Sequence, residues 1–556
     1  MCELCKRGML RNHFGSRRNF LRGVAATGAT AAGLSLFRPR PAAAQFQFPS
    51  PPPGTGQPGR RYVIRGGSVM SIDPKVGDFV QADVLVEGKK ILAVGPNLGA
   101  GGADVIDATG RIVMPGFIDT HHHQFETALR SFLADGVLIN DGSGSPSGST
   151  TYYEFILLKF APVYRPQDVY ISELFGGLSQ LDDGVTTVHD VSQIHHTPQH
   201  SDAAIAALYD AGRRFAFGYF EGAGSNPPSY AYPQDAFRIK QKYFSSSDQL
   251  GSMIMGGEVY LGAAIYQQSW TIGRQLGLQV AAHILSPFGI RPILDLLAQG
   301  KGGSLGNLAV GPDNLFIHMT GMSELGWQAV HANGVPVSIA FPIEMNMRHG
   351  MPPILKLQSL GMEPALSVDV ECTMTADFFT QMRVCMNLQR GLVNQMILDG
   401  GNVVTAPPDP VSWGLPMPVD TPFTQWPTVP SNYQPPLLTT RDVLRFATMN
   451  GAKALRLDSK VGSVTPGKEA DIIILDATRI NVAPINQVPG AVVSLMDRTN
   501  VETVIVAGKV RKWKGLLLDA QTGTLVDLDK LRSQLESSRD YLFSAAGIPQ
   551  NLFSSE

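Results

Sequence analysis

Cysteine is scarce in this chain, with four residues in 556. That is too few for a disulfide scaffold. Cys2 and Cys5 fall in a segment expected to be removed, and Cys2-x-x-Cys5 has no second pair nearby to complete a metal site. Cys372 and Cys385 are expected as buried thiols. Charge is also sparse, at 17% of residues, and it balances to a net −2. With no basic excess to meet phosphates, nucleic acid is not an expected partner. No apolar run is long and apolar enough to make a stable membrane span. Apolar residues are nevertheless plentiful, at 44%, so a disordered chain is excluded and a large core can form. The length suggests roughly two to four domains, or one large barrel with attachments. Fifty-eight glycines and 39 prolines imply many short connections.

Ser16-Arg17-Arg18-Asn19-Phe20-Leu21-Arg22 is a twin-arginine pattern. A short Ala/Gly-rich apolar run to Phe37 and the small-residue site Ala42-Ala43-Ala44 follow it. In that order these features read as a signal peptide over 1–44, which implies export to the periplasm or beyond and the twin-arginine machinery as partner of the precursor. That route usually carries proteins already folded, which hints at metal loading before export. A Pro/Gly-rich linker is expected over 45–61.

Short alternating apolar runs from Tyr62 to Val113 read as β-strands, and a second β-rich block returns at Asp471–Leu475 and Val501–Val506. The two blocks, 62–113 and 458–515, are expected to pair into one small β-sandwich. Between them, over 114–457, eight apolar runs alternate with helical patterns such as Ala203–Ala211 and Ser323–Ala332. The runs begin at Phe117, Val185, Phe215, Val259, Leu276, Leu315, Val335 and Ala365. This predicts an α/β fold, a distorted (β/α)8 TIM-like barrel with a small β-sandwich built from both flanks. A doubly wound sheet is the alternative. A helical tail is expected over 516–556. Asp135–Thr151 and Pro407–Pro436 read either as lids or as surface insertions.

His121, His122 and His123 follow the first barrel run. Alternate side chains of a strand point the same way, so His121 and His123 can aim at one point while His122 faces away. His283, His318 and Asp369 each close a later run, and in a barrel all C-terminal strand ends meet at one mouth. Histidines and an aspartate gathered there suit a divalent metal with a position left for water, as in catalytic sites. Zinc is favoured, but imidazole suits iron as well.

Val113-Met114-Pro115-Gly116-Phe117-Ile118-Asp119-Thr120-His121-x-His123, together with the later His, His and Asp, resembles the opening of the amidohydrolase superfamily. Val461-Gly-Ser-Val-Thr-Pro-Gly-Lys-Glu-Ala-Asp471 and Val506-Ala-Gly-Lys-Val510 resemble its returning β segment. His123-Gln-Phe-Glu-Thr-Ala-Leu-Arg130 is similar to the cytosine-deaminase-like and triazine-hydrolase-like branch. The resemblance spans roughly Tyr62 to Gly515. It implies that His121, His123, His283 and Asp369 hold the metal and that His318 orients or polarises the substrate.

There are departures from the family pattern. Deaminases of this branch carry Glu three residues after the fifth-strand histidine, where this chain has Ser286. No bridging Lys or Glu is seen in Val259–Ile265, so one divalent ion is expected rather than two. Glu344 is either a substitute carboxylate or a solvated loop charge. His195, His196, His200 and His349 are expected as loop residues.

The expected chemistry is hydrolysis of an amide-like or heterocyclic C–N bond of a small molecule, with Asp369 as proton acceptor and donor and His318 beside the developing oxyanion. Deamination or dehalogenation of a nitrogen heterocycle is the alternative. Outside catalysis, a periplasmic metal or ligand binder is the competing reading. Met345, Met347, Met351, Tyr152, Tyr153 and Trp413 hint at an apolar or aromatic ligand. The sequence leaves homo-oligomerisation open.

Overall fold

The computed structural model describes residues 50–139, 151–224, 231–302, 308–399 and 435–552. The signal segment with Cys2 and Cys5, most of the Gly/Ser-rich stretch after Asp135, and Trp413 and Trp426 lie outside the described residues.

Chain order begins with β1 (Arg61–Met70), β2 (Asp78–Glu87), β3 (Lys90–Gly95), β4 (Asp104–Asp107) and β5 (Arg111–Pro115). The eight barrel strands come next: β6 (Phe117–His122), β7 (Val185–Ser192), β8 (Arg214–Tyr219), β9 (Gly251–Gly256), β10 (Val280–Leu285), β11 (Asn314–Thr320), β12 (Val337–Ile339) and β13 (Ala365–Leu366). The last four are β14 (Ile472–Asp476), β15 (Val501–Val506), β16 (Lys509–Trp513) and β17 (Leu516–Leu517).

The flanking strands join in one nine-stranded sheet, ordered β17-β16-β15-β14-β5-β1-β2-β3, with β4 on β1. Its central pair is antiparallel and places Met114 opposite Ile473. The alternation read in the sequence has a physical product: Tyr62, Ile64 and Val84 from one flank share a core with Ile472, Ile474 and Ile505 from the other.

The middle strands form an eight-stranded sheet in sequence order, β6 to β13, every pair parallel. Helices Pro198–Asp210, Ala263–Gln275 and Glu324–Ala332 lie between successive strands. The barrel closes on itself where the His122–Asp369 bridge joins β6 to the segment after β13. Asp369 N–H donates to His121 O at 3.0 Å and His123 N–H to Asp369 O at 2.7 Å. Closure and the histidine motif therefore share the same hydrogen bonds. Cys372 and Cys385 are buried free thiols.

One strand departs from the sequence expectation. The fourth barrel strand is Gly251–Gly256, not Val259–Ile265. Val259–Leu261 is a single 3-10 turn, Gly262 sits at φ 89°, and the helix starts at Ala263. The apolar run V-Y-L-G-A-A-I forms this turn and the helix start, with Val259 buried but Ala263 and Ala264 exposed, whereas the strand G-S-M-I-M-G is short and bounded by glycine. The fifth strand starts only at Val280, because the helix runs to Gln275 and Gly277 turns the chain at φ 64°.

Glu469 and Asp471, from the returning motif, clamp the barrel to the sheet. Both accept from Arg214, which begins β8 and is 1% exposed: Nη2–Glu469 Oε2 is 2.7 Å and Nε–Asp471 Oδ2 is 2.9 Å. Among the described residues, removing the guanidinium leaves Asp471 buried with the Ala507 N–H and the nearby charge of Arg511 as counterparts. Arg214→Ala is expected to cost about 3–5 kcal/mol, the usual penalty of breaking a buried pair from one side. Urea unfolding of the purified protein reads this directly, and a loss under about 1 kcal/mol would show that water or Lys89 takes over.

Candidate metal centre and active site

His121 and His123 converge, as the i, i+2 spacing on a strand requires. Their Nε2 atoms are 3.0 Å apart. His283 lies in the C-terminal half of β10 and brings its Nε2 to 3.0 Å from His121 and 3.3 Å from His123. Asp369 Oδ1 lies 3.7 Å from His121 Nε2 and 3.4 Å from His123 Nε2. His318 Nε2 is 3.7 Å from Asp369 Oδ2. His122 faces the other way, toward Glu371 at 3.4 Å.

This packing fits a metal. His283 Nδ1 pairs with the Glu258 carboxylate at 2.6 Å, which puts the proton on Nδ1 and leaves Nε2 with a lone pair. Burial, and then the neighbouring imidazoles, hold His121 and His123 well below the usual histidine range, so both are neutral. Three buried ring nitrogens facing one another at 3.0–3.3 Å cannot all satisfy each other by hydrogen bonds. Four ligands about 2.0–2.1 Å from a tetrahedral ion would lie about 3.3 Å apart, close to this spacing. Burial works against a charge on His283, but Glu258 outweighs it and raises the ring's basicity, which strengthens it as a donor.

Two residues hold costly backbone. His318 and Asp369 adopt φ of 71° and 66°, the left-handed region that non-glycine residues seldom occupy. Such strain clusters at functional sites because the surroundings over-determine it. Here Asp369 is fixed by the closure bonds, and His318 by Glu344, whose Oε1 lies 2.9 Å from His318 Nδ1. Burial pushes the Asp369 carboxyl up to about 7.

His123, His283, His318 and Asp369 line one pocket. Its apolar walls include Leu138, Leu157, Leu285, Phe288, Met347 and Val370, and polar atoms reach it from Tyr152, Gln193, Tyr260 and His349. The expected aromatic and methionine lining divides: Tyr152 and Met347 line the pocket, while Tyr153, Met345 and Met351 are exposed on the surface.

The structure brings His121, His123, His283, His318 and Asp369 together. Glu344 is 1% exposed and sits behind His318, so it is a buried positioning carboxylate and not a solvated charge. His349 is no simple loop residue: it is buried and its ring lies 4.7 Å from that of His318. His195 and His200 are also buried, and His196 bonds Ala161 O at 2.8 Å; none of the three lines the pocket. Ser286 is exposed at the start of the turn after β10 and does not line the pocket.

Sequence reasoning missed Glu258, which follows β9 by two residues and was hidden by the misplaced fourth strand. It also missed Gln193, the first residue after β7, and the buried Glu126, which accepts from Tyr152 Oη at 2.7 Å and which burial raises to about 8.

The amidohydrolase family model matches residues 431–511. A 5-methylthioadenosine/S-adenosylhomocysteine deaminase of Thermococcus kodakarensis is 26% identical over 78% of this chain and 90% of its own. A 5'-deoxyadenosine deaminase of Methanosarcina barkeri is 22% identical over 85% and 98%. Among solved structures, an adenosine deaminase from Xanthomonas campestris with bound zinc superimposes with a TM-score of 0.66, at 20% identity, covering 87% of this chain and 98% of that one. A zinc complex of an atrazine chlorohydrolase from Arthrobacter aurescens gives 0.65 at 18% identity, covering 86% and 100%. In its fold, its matched C-terminal segment and its histidine cluster this chain is similar to proteins of the amidohydrolase family.

Proposed function

We propose that this protein is a metal-dependent hydrolase that cleaves an amide-like or heterocyclic C–N bond of a small molecule. The observation that carries the reading is the convergence of three imidazole Nε2 atoms and the Asp369 carboxylate beside a pocket. Its support from relatives is that those named above are deaminases and a chlorohydrolase of nitrogen heterocycles.

His121, His123, His283 and Asp369 would hold one divalent ion, zinc in preference to iron. Such an ion supplies Lewis acidity and makes water nucleophilic near neutral pH. The chain's own groups do the rest. Asp369 takes the proton of the attacking water and returns it to the leaving nitrogen. His318, held by Glu344, is aimed where the oxygen of the substrate gains charge. Glu258 fixes the tautomer of His283.

Deamination or dehalogenation remains the second reading, because the relatives carry those activities. The exposed Ser286 weighs against a deaminase that keeps its proton shuttle in the usual place. A pure binding protein would have no use for a base beside the cluster. The test is a hydrolysis screen over amides, ureas, lactams and triazines, with metal content measured on the same sample. Metal-loaded protein inert to all of them would favour the binder.

We also infer export by the twin-arginine route, on the Ser16–Arg22 pattern alone. Among the described residues no helix is long and apolar enough to cross a membrane. Arg17→Lys with Arg18→Lys should leave uncleaved precursor in the cytoplasm, visible by fractionation and blotting. Normal accumulation outside it would sink the inference.

A further inference from the structure

Several buried polar atoms of the pocket residues lack a hydrogen-bond partner within the described residues, including His349 Nδ1 and Nε2, and one of them, on Gln193, is held in place by a relay. Gln193 is 3% exposed and donates from Nε2 to Tyr260 Oη at 2.7 Å. Tyr260 donates in turn to Glu221 Oε1 at 2.6 Å. A phenol has one proton. Once that proton is given to Glu221, only lone pairs are left to face Gln193. The amide must therefore turn its NH2 toward Tyr260, and Oε1 becomes the free end. Gln193 Oε1 is buried and has no hydrogen-bond partner among the described residues. A buried acceptor left unpaired costs about 1–3 kcal/mol, and such groups call for an explanation. Gln193 and Tyr260 both line the pocket, and Glu221, 2% exposed, backs them.

The charge of the pocket narrows what the acceptor reads. Among the described residues no lysine or arginine lines it. The internal undescribed stretches 140–150, 225–230, 303–307 and 400–434 contain neither residue type, in contrast to 1–49. A carboxylate or phosphate on the substrate would therefore find only the metal cluster for a counter-charge. The walls are leucine, phenylalanine, methionine and valine.

We propose that Gln193 Oε1 is a specificity determinant that accepts a hydrogen bond from an N–H of an uncharged, largely apolar nitrogen heterocycle bound over the metal cluster. This rests on the hydrolase reading and names the substrate class for it.

The experiment uses the full, zinc-loaded protein at pH 8.5, above the value of about 7 to which burial and then Glu258 push Glu221. The probes are an N-monoalkylaminotriazine and its N,N-dialkyl counterpart, which differ by one N–H. Kd is measured by calorimetry and kcat/KM by product formation. The protein should bind the N–H compound about 10- to 100-fold more tightly, as the worth of one buried acceptor implies. Gln193→Met keeps the volume and should bring the ratio to within about threefold, since the acceptor is gone. Tyr260→Phe frees the amide to rotate and should bring the ratio down part of the way. A ratio unchanged in Gln193→Met, no preference in the wild type, or no binding of either probe overturns the proposal. Preferential binding without turnover would fail the hydrolase reading and leave Gln193's role standing; turnover of both probes without preference would do the reverse.

Discussion

Asp369→Asn is expected to lower turnover by roughly 10²–10⁴, the usual worth of general acid–base catalysis, while metal is substantially retained. The amide keeps an oxygen 3.4–3.7 Å from the histidine nitrogens, and the closure bonds that fix this residue come from its backbone, not its side chain. An amide cannot take a proton from water near neutral pH. His318→Ala should lose a comparable factor and keep most of its metal, because His121, His123 and His283 still converge without it, although His318 also lies close enough to His121 and Asp369 to share an ion with them. Ser286→Ala should cost little, since the side chain is exposed beyond the end of β10. Steady-state kinetics with metal analysis of each variant separates these cases. Wild-type turnover by Asp369→Asn would overturn the mechanism, and a severe loss in Ser286→Ala would restore a role to the fifth-strand position.

His121→Ala and His283→Ala should each remove most of the bound metal and with it the activity. The wild type should carry about one ion per chain, because the two groups of side chains that could hold a metal share His121, and Glu258 is turned to the far nitrogen of His283. Glu258→Gln is the graded case. It removes the charge that orients and enriches His283 but leaves every ligand, so affinity should fall about 10- to 100-fold without vanishing. Elemental analysis reads all three variants. Two ions per wild-type chain would mean that a bridging ligand has been overlooked.

The residues legible in the sequence were those where one local rule decides. His121 and His123 follow from strand alternation, β14 from its Ile-Ile-Ile-Leu run, and β15 from a run rich in β-branched residues. His283 and His318 close apolar runs that are strands in the structure. Asp369 was found although its strand is two residues long, because Leu-Ser-Val-Asp still reads as extended chain. The fourth strand was misread because methionine and glycine carry a weak β signal beside the stronger run that follows. That one shift hid Glu258. Glu344 and His349 were underrated for a different reason. The segment from Phe341 to Met351 has no steady period, and burial there comes from packing at the rim of the barrel, which is tertiary information. Gln193 and Tyr260 gain meaning only through Glu221, a residue from another strand end.

The pairing of β5 with β14 has a consequence for how the molecule is made. The two halves of the sheet are encoded on either side of the whole barrel. Until synthesis has passed Asp476, β5 holds an open edge, and Ile112 and Val113 lack the strand that covers them in the finished fold. An open edge of this kind is a template for wrong pairing and a target for proteases. The seam thus acts as a test of completeness, since a chain that stops short of β14 can build its histidine motif but cannot close its sheet.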